Sequence, residues 1–150
     1  MTLENLLAIH RLQIFDATPG GLQRLLASAE RNLVDAQLPE LSPDNRFDMA
    51  YKAIMQCAMI GLWANGYRTS TSQPGHHQTA LQTLSKTMGV AQDVVIVLDA
   101  LRKQRNLNDY EGDSITDAAV TECLAQAKDL LDHTRQWLQA QRPDLLIKEQ

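Results

Sequence analysis

The chain has 150 residues, 44% of them hydrophobic and 21% charged, which suits one globular domain and excludes an intrinsically disordered protein. Its formal net charge of −4 argues against a broad nucleic-acid-binding surface, because such a surface needs excess Lys and Arg to neutralise phosphates.

The N-terminus lacks a signal-peptide pattern, and the longest uncharged central run (residues 53–67) is too short to cross a bilayer. The two cysteines are far apart in the sequence. We therefore expect a cytoplasmic protein outside the membrane, with Cys57 and Cys123 as reduced, buried thiols.

The N-terminal half of the chain predicts three helices. Apolar residues at helical spacing favour a first helix within residues 2–15. The pair Thr18-Pro19 predicts a cap followed by proline at the first helical position, and the second helix should reach about residue 38. Ser42-Pro43 repeats this signal before a third helix that ends at Ala64 and is apolar nearly all round. A helix without a polar face is normally surrounded by other helices, so we expect the third helix at the centre of the fold.

The C-terminal half predicts a loop and three more helices. Residues 67–75 are rich in Ser, Thr, Pro and Gly and are expected to form a long irregular loop. A short fourth helix should end at Gly89, and a fifth should run from about 92 to 108. The sixth should begin at Ser114, which has Asp117 three residues later in a pattern similar to a capping box, and should end near residue 141. Residues 142–150 are expected to be a polar tail.

These patterns predict an all-α fold with a single domain over residues 1–150. We expect an up-and-down bundle of about four long helices plus short ones. No alternation typical of a strand is visible.

The end of the fifth predicted helix carries the best candidate site. At about 100° per residue, five polar side chains share an arc of roughly 140° with the apolar Val95 and Leu98. The five are Arg102, Arg105, Asn106, Asp109 and Tyr110. A polar cluster that continues an apolar stripe is expected to be half-buried. Two arginines so placed can bind phosphate and stabilise developing negative charge, Asn106 can orient it, and Tyr110 can stack on a base or donate a proton.

A purely structural explanation of this cluster is also open: Arg102 and Arg105 would pair with carboxylates of neighbouring helices. Other chemistry has little support. The four histidines (His10, His76, His77 and His133) form no metal-binding spacing, and no nucleophile motif or phosphate-binding glycine loop is present. We therefore expect no metal and no cofactor.

Two further features leave a role open. Gly75-His76-His77 is expected to start the fourth helix with the histidines half exposed. One of these histidines either has a functional role or is only part of the helix start. Met49, Met55 and Met59 are either core filler or the lining of a pliable pocket.

The sequence resembles the HEPN superfamily, and in particular its small stand-alone bacterial members. The resemblance rests on a central apolar helix ending Ala-Asn-Gly-Tyr (residues 64–67), on Gly75-His76-His77, and on Arg102-x-x-Arg105-Asn106-x-x-x-Tyr110. It extends over residues 18–140, although the motif itself is short.

The resemblance implies a helical bundle that forms a homodimer through the helix that carries the motif. It also implies metal-independent ribonuclease activity, often within a toxin–antitoxin pair whose partner is a nucleotidyltransferase. The family motif places an arginine and a polar residue before a histidine, which correspond here to Arg105, Asn106 and Tyr110. Tyrosine replaces the histidine, and an unperturbed tyrosine has a pKa near 10, which suits proton transfer at neutral pH poorly.

Two functions follow as expectations. In the first, the protein is an RNA-directed, ribonuclease-like homodimer with Arg105, Asn106 and Tyr110 as catalytic residues and Arg102 and Asp109 as substrate-binding residues. In the second, it is a non-catalytic nucleotide-binding or protein-interaction module that partners a nucleotidyltransferase or a regulator.

Overall fold

The computed structural model describes residues 1–148 and is an all-α helical bundle with one very small sheet. Its elements, in chain order, are α1 (Leu3–Ala8), β1 (Leu12–Ile14), α2 (Pro19–Ala36), α3 (Pro43–Ala64), β2 (Tyr67–Thr69), α4 (His76–Gln82), α5 (Leu84–Thr87), α6 (Gln92–Glu111), α7 (Asp117–Gln141) and a 3-10 helix (Pro143–Leu146). The prediction of an all-α bundle with four long helices and several short ones is confirmed.

Helix α3 is the centre of the bundle. It packs most extensively against α2 and α7 and also contacts β2, α4, α5 and α6. The capping predictions for α2 and α3 are confirmed: the Thr18 hydroxyl accepts from the Gly21 amide at 3.0 Å, and the Ser42 hydroxyl accepts from the Asn45 amide at 3.2 Å. Each cap satisfies a backbone N–H that the first helical turn leaves without a partner.

The predicted first helix is wrong over its second half. Helix α1 ends at Ala8, and the chain reverses at His10, whose φ of 63° lies in the left-handed region. Residues Leu12–Ile14 then pair antiparallel with Tyr67–Thr69, in a register that sets Leu12 opposite Thr69. Leu12 is buried, whereas Ile14 is exposed. The first three residues of the predicted 67–75 loop are therefore a strand.

The C-terminal boundaries also differ from the predictions. Helix α6 continues to Glu111, so Tyr110 lies inside it, and the cap of α7 is Thr116 rather than Ser114. The Thr116 hydroxyl accepts from the Ala119 amide. Within the predicted polar tail, residues Pro143–Leu146 form the 3-10 helix and Leu145 is buried against Leu22 and Leu138. The last two residues of that tail lie outside the described residues.

The thiol prediction is confirmed: Cys57 and Cys123 are free and buried. Burial raises the pKa of each thiol to about 12. Across residues 1–148, no helix has both the length and the apolar character needed to cross a membrane.

Candidate functional site

A cleft of about 230 Å³ lies between the start of α4 and the last turns of α6. It is lined by Gly75, His76, His77, Gln78, Arg102, Arg105, Asn106 and Tyr110. Four of the five side chains that the sequence analysis selected therefore meet in one place, together with both adjacent histidines. Asp109 does not line the cleft, and its carboxylate pairs with Arg105.

The backbone explains why these residues meet. Helices α4 and α6 contact each other, and each has a buried side: Leu98 and Leu101 are buried in α6, and Thr79, Ala80 and Leu81 are buried in α4. Gly75 has a φ of 77°, a conformation that glycine adopts at little cost, and it turns the chain sharply into α4. His76 and His77 consequently form the first turn of a helix packed against the arginines.

Arg102 is held by one carboxylate and presents the rest of its guanidinium to the cleft. Its Nε donates to Asp99 Oδ1 at 2.7 Å, and its side chain is 15% exposed. Burial would raise the pKa of Asp99, but the hydrogen bond and charge of Arg102, together with Lys103, outweigh it and hold that pKa below its usual value. Neither Nη1 nor Nη2 of Arg102 has a partner among residues 1–148. These two amino groups are suited to binding an oxyanion.

Arg105 is paired more loosely. Its Nε lies 3.4 Å from Asp48 Oδ1, its Nη2 lies 3.4 Å from Asp109 Oδ2, and its guanidinium carbon is 5.3 Å from the centre of the Tyr51 ring. The structural explanation of the cluster is therefore correct in part: Arg105 pairs with Asp48 of the neighbouring helix α3, whereas the other partners, Asp99 and Asp109, belong to α6 itself. The pairs of Arg105 are long, and the Asp48 side chain is 60% exposed. Exposed pairs of this kind contribute about 0–1 kcal/mol, so an anionic ligand can displace them.

Tyr51 and His77 form a pair that the sequence analysis missed. The Tyr51 hydroxyl and His77 Nδ1 are 3.2 Å apart, and Tyr51 is only 2% exposed. Burial raises the pKa of Tyr51 to about 12, although Arg105 and Arg102 oppose the rise, so the phenol is neutral at pH 7. Tyr51 sits among apolar residues of α3, and no local sequence signal separates it from the core.

His77 is held neutral by its surroundings. Burial lowers its pKa below the ordinary 6.5, and the charges of His76, Arg105 and Arg102 lower it further. Its Nε2 has no hydrogen-bond partner within the part of the chain that the structure describes. The ring of His76 meets that of His77 edge-on, with 4.7 Å between their centres.

Tyr110 does not belong to a half-buried cluster, and that prediction is wrong for this residue. It is 80% exposed, because it lies in the last turn of α6, beyond the part of the helix that α4 covers. It forms the outer rim of the cleft. Asn106 is half-buried as expected, whereas Asp109 is exposed, so the prediction is wrong for that residue too.

A second pocket, of about 510 Å³, adjoins the cleft and shares His77 and Arg105 with it. Its remaining lining residues are Leu25, Asp48, Tyr51, Lys52, Met55, Gln56 and Met59. The open question about the methionines is answered in part, since Met55 and Met59 line this pocket and Met49 does not. We call it the methionine pocket.

A cavity of similar size, about 530 Å³, lies at the other end of α3 beside Trp63 and Trp137. Its arginine, Arg142, is bound to Asp144 and to the Ala64 carbonyl, so it is less suited to an anion than Arg102.

Residues 1–148 contain no group of three or more His, Cys, Asp or Glu side chains placed to hold a metal ion. No protein-family model matches the chain, and no curated protein matches it either.

Proposed function

We propose that this protein binds single-stranded RNA at the α4–α6 cleft and cleaves it without a metal ion, as a divergent HEPN-like protein. One observation carries the proposal: the cleft brings His76 and His77 beside Arg102, Arg105 and Asn106. The histidine that the family motif lacks at Tyr110 is then supplied by α4.

The side chains fit general acid–base cleavage of a phosphodiester. In the tautomer with a proton on Nδ1, His77 donates to the Tyr51 hydroxyl oxygen, and its Nε2 lone pair has no hydrogen-bond partner in the described chain. That nitrogen takes the proton of a ribose 2′-hydroxyl, O2′ attacks phosphorus, and the bond from phosphorus to the departing 5′ oxygen breaks. Protonated His76 gives its proton to that oxygen. The products are a 2′,3′-cyclic phosphate and a 5′-hydroxyl end.

The arginines stabilise the negative charge in this scheme. Arg102 binds a non-bridging phosphate oxygen through its two terminal amino groups, and Arg105 exchanges an exposed carboxylate for the phosphate. Asn106 orients the phosphate, and the exposed ring of Tyr110 offers a stacking surface for a neighbouring base. The cleft supports this role because none of the eight residues that line it, all of them in the described part of the chain, is a carboxylate.

The proposal includes a homodimer formed along α6. Ile96, Ala100, Lys103, Leu107 and Tyr110 are all exposed, and helical geometry puts them within an arc of roughly 80°. We call these residues the α6 stripe. Contiguous exposed apolar side chains often mark a protein contact surface. Because Tyr110 belongs to both the stripe and the rim of the cleft, a second copy packed there would set two clefts side by side.

Cleavage of single-stranded RNA in the presence of excess EDTA tests the proposal. We expect the purified protein to cut RNA, and His77→Gln to reduce the rate by roughly 100-fold or more, since general acid–base groups contribute on that scale. Arg102→Ala should weaken RNA binding by roughly 10- to 100-fold, the value of hydrogen bonds to a charged group.

Arg135→Ala is the matched control. Arg135 lies in α7, pairs with Glu30 and Asp132, and belongs neither to the cleft nor to the α6 stripe. If Arg102→Ala lowers thermal stability but leaves RNA affinity and cleavage unchanged, the arginines only stabilise the fold and the proposal is wrong.

A second candidate is a module that binds RNA or a nucleotide without cutting it. The observation in its favour is that Asp48, Asp99 and Asp109 all pair with the cleft arginines and weaken their positive field. Arginine-dependent binding without cleavage would select this candidate. Co-purification of a nucleotidyltransferase would add the partner that the family resemblance implies.

A further inference from the structure

The methionine pocket and the cleft meet at two residues, His77 and Arg105. A ligand whose phosphate lies against Arg105 therefore has a neighbouring cavity of about 510 Å³ open to its other end. Small-molecule sites typically measure roughly 300–1,000 Å³, so the cavity can hold a group as large as a nucleobase.

The chemistry of the pocket suits a flat, apolar ring with polar edges. Leu25, Met55 and Met59 offer apolar and polarisable side chains that pack well against an aromatic face. Asp48 and Lys52 are exposed at its rim, where they can meet donors and acceptors of a ring edge.

Gln56 adds a fixed polar group. Its Nε2 donates to Ser28 Oγ at 2.8 Å, and its Oε1 accepts from Asn32 Nδ2 at 2.8 Å. An amide has two donor hydrogens and two acceptor lone pairs, so one of each has no partner among residues 1–148. Because both neighbours hold the amide in one orientation, it presents a fixed donor and acceptor to the pocket.

We propose that the methionine pocket binds an unstacked nucleobase of the RNA strand whose phosphate occupies the cleft. This inference rests on the proposed function and deepens it, because it makes the substrate an RNA segment with one base turned out of the stack. Recognition of splayed single-stranded bases by packing and by edge hydrogen bonds is a general mode of RNA binding.

The test compares ligands with and without a base. Inorganic phosphate, ribose 5-phosphate and the four nucleoside 5′-monophosphates are titrated into the protein, with methyl NMR of the methionines as the readout. We expect at least one nucleotide to bind about tenfold or more tightly than ribose 5-phosphate, since stacking one base contributes on that scale. The ring current of the base should shift the Met55 and Met59 methyl signals and leave those of Met1 and Met88 in place.

Met59→Trp fills the pocket and should remove the difference between nucleotide and ribose 5-phosphate. Val34→Trp, at an exposed position on α2, is the matched control and should preserve it. The inference is overturned if nucleotides bind no better than ribose 5-phosphate, or if Met59→Trp instead changes the oligomeric state, which would assign the pocket to a second copy of the chain.

Arg102→Ala separates this inference from the proposed function. If it weakens ribose 5-phosphate binding while the base has no effect, the phosphate cleft stands and the base pocket is wrong. If Arg102→Ala changes nothing, the phosphate cleft fails and the base pocket fails with it.

Discussion

The two arginines of the cleft illustrate how burial decides what a charged side chain can do. Arg102 is mostly buried and gives one nitrogen to Asp99, so its other two amino groups are held in a fixed position at low cost in entropy. Arg105 is more exposed and lies between Asp48 and Asp109 at 3.4 Å from each. We therefore assign the tighter phosphate contact to Arg102, although the family motif points to Arg105.

The protonation of His77 is the first prediction at this scale. Arg105→Ala should raise the His77 pKa toward 6.5, because it removes a positive charge and opens part of the burial that now lowers this pKa. Binding of inorganic phosphate to the unmodified protein should raise it as well, since the anion offsets the same charges. Both changes can be measured by NMR titration of the imidazole ring signals.

Arg135→Ala serves as the control for this titration, because Arg135 is not among the groups that shift His77 and lies outside the α6 stripe. An unchanged His77 pKa in Arg105→Ala would mean that Arg105 and His77 do not share one site.

At the scale of elements, helix α6 has two different faces, one toward the bundle and one toward solvent. One face carries the buried Leu98 and Leu101 together with the cleft arginines, and α6 contacts α4. The other is the α6 stripe, in which Ile96, Leu107 and Tyr110 are exposed. A helix on the outside of a bundle has no structural need for three large exposed apolar or aromatic residues on one line.

We predict that Leu107→Asp breaks a dimer held by the α6 stripe. The substitution would bury a carboxylate in each copy of the interface, and we expect dimerisation to weaken by roughly 10-fold or more. Light scattering coupled to gel filtration gives the mass directly. Val34→Asp changes another exposed apolar residue, on α2, and should leave the mass unchanged. A monomer in the unmodified protein at tens of micromolar would contradict the dimer itself.

At the scale of the whole molecule, the confirmed predictions rest on local signals, although the local patterns at Ser114 and over residues 9–15 predicted the wrong structure. The caps at Thr18 and Ser42 and the apolar periodicity of α2, α3 and α6 depend on residues a few positions apart. The sheet depends on pairing Leu12 with Thr69, and the site depends on a contact between Tyr51 and His77, which are 26 positions apart. The helical arc grouped Arg102, Arg105, Asn106 and Tyr110 correctly, yet only tertiary packing decides which of them α4 covers.

The last prediction concerns three buried groups, Cys57, Cys123 and Tyr51. Each has a pKa of about 12, against ordinary values of 9.0 for the thiols and 10.0 for the phenol. The unfolded chain loses the thiol protons above pH 9 and the phenol proton above pH 10, while the folded chain keeps all three, so stability is complete below pH 9 and falls as pH rises toward 12. Each group lowers the free energy of unfolding by up to about 1.4 kcal/mol per pH unit in that window. Urea unfolding between pH 8 and pH 11 should show the fall in the free energy of unfolding.

Cys57→Ala should start less stable at pH 8, because it leaves a small cavity, and its free energy of unfolding should then fall less steeply as pH rises. Parallel curves for the two proteins would show that Cys57 ionises equally in both states, and that burial of this thiol does not govern the alkaline limit of the fold.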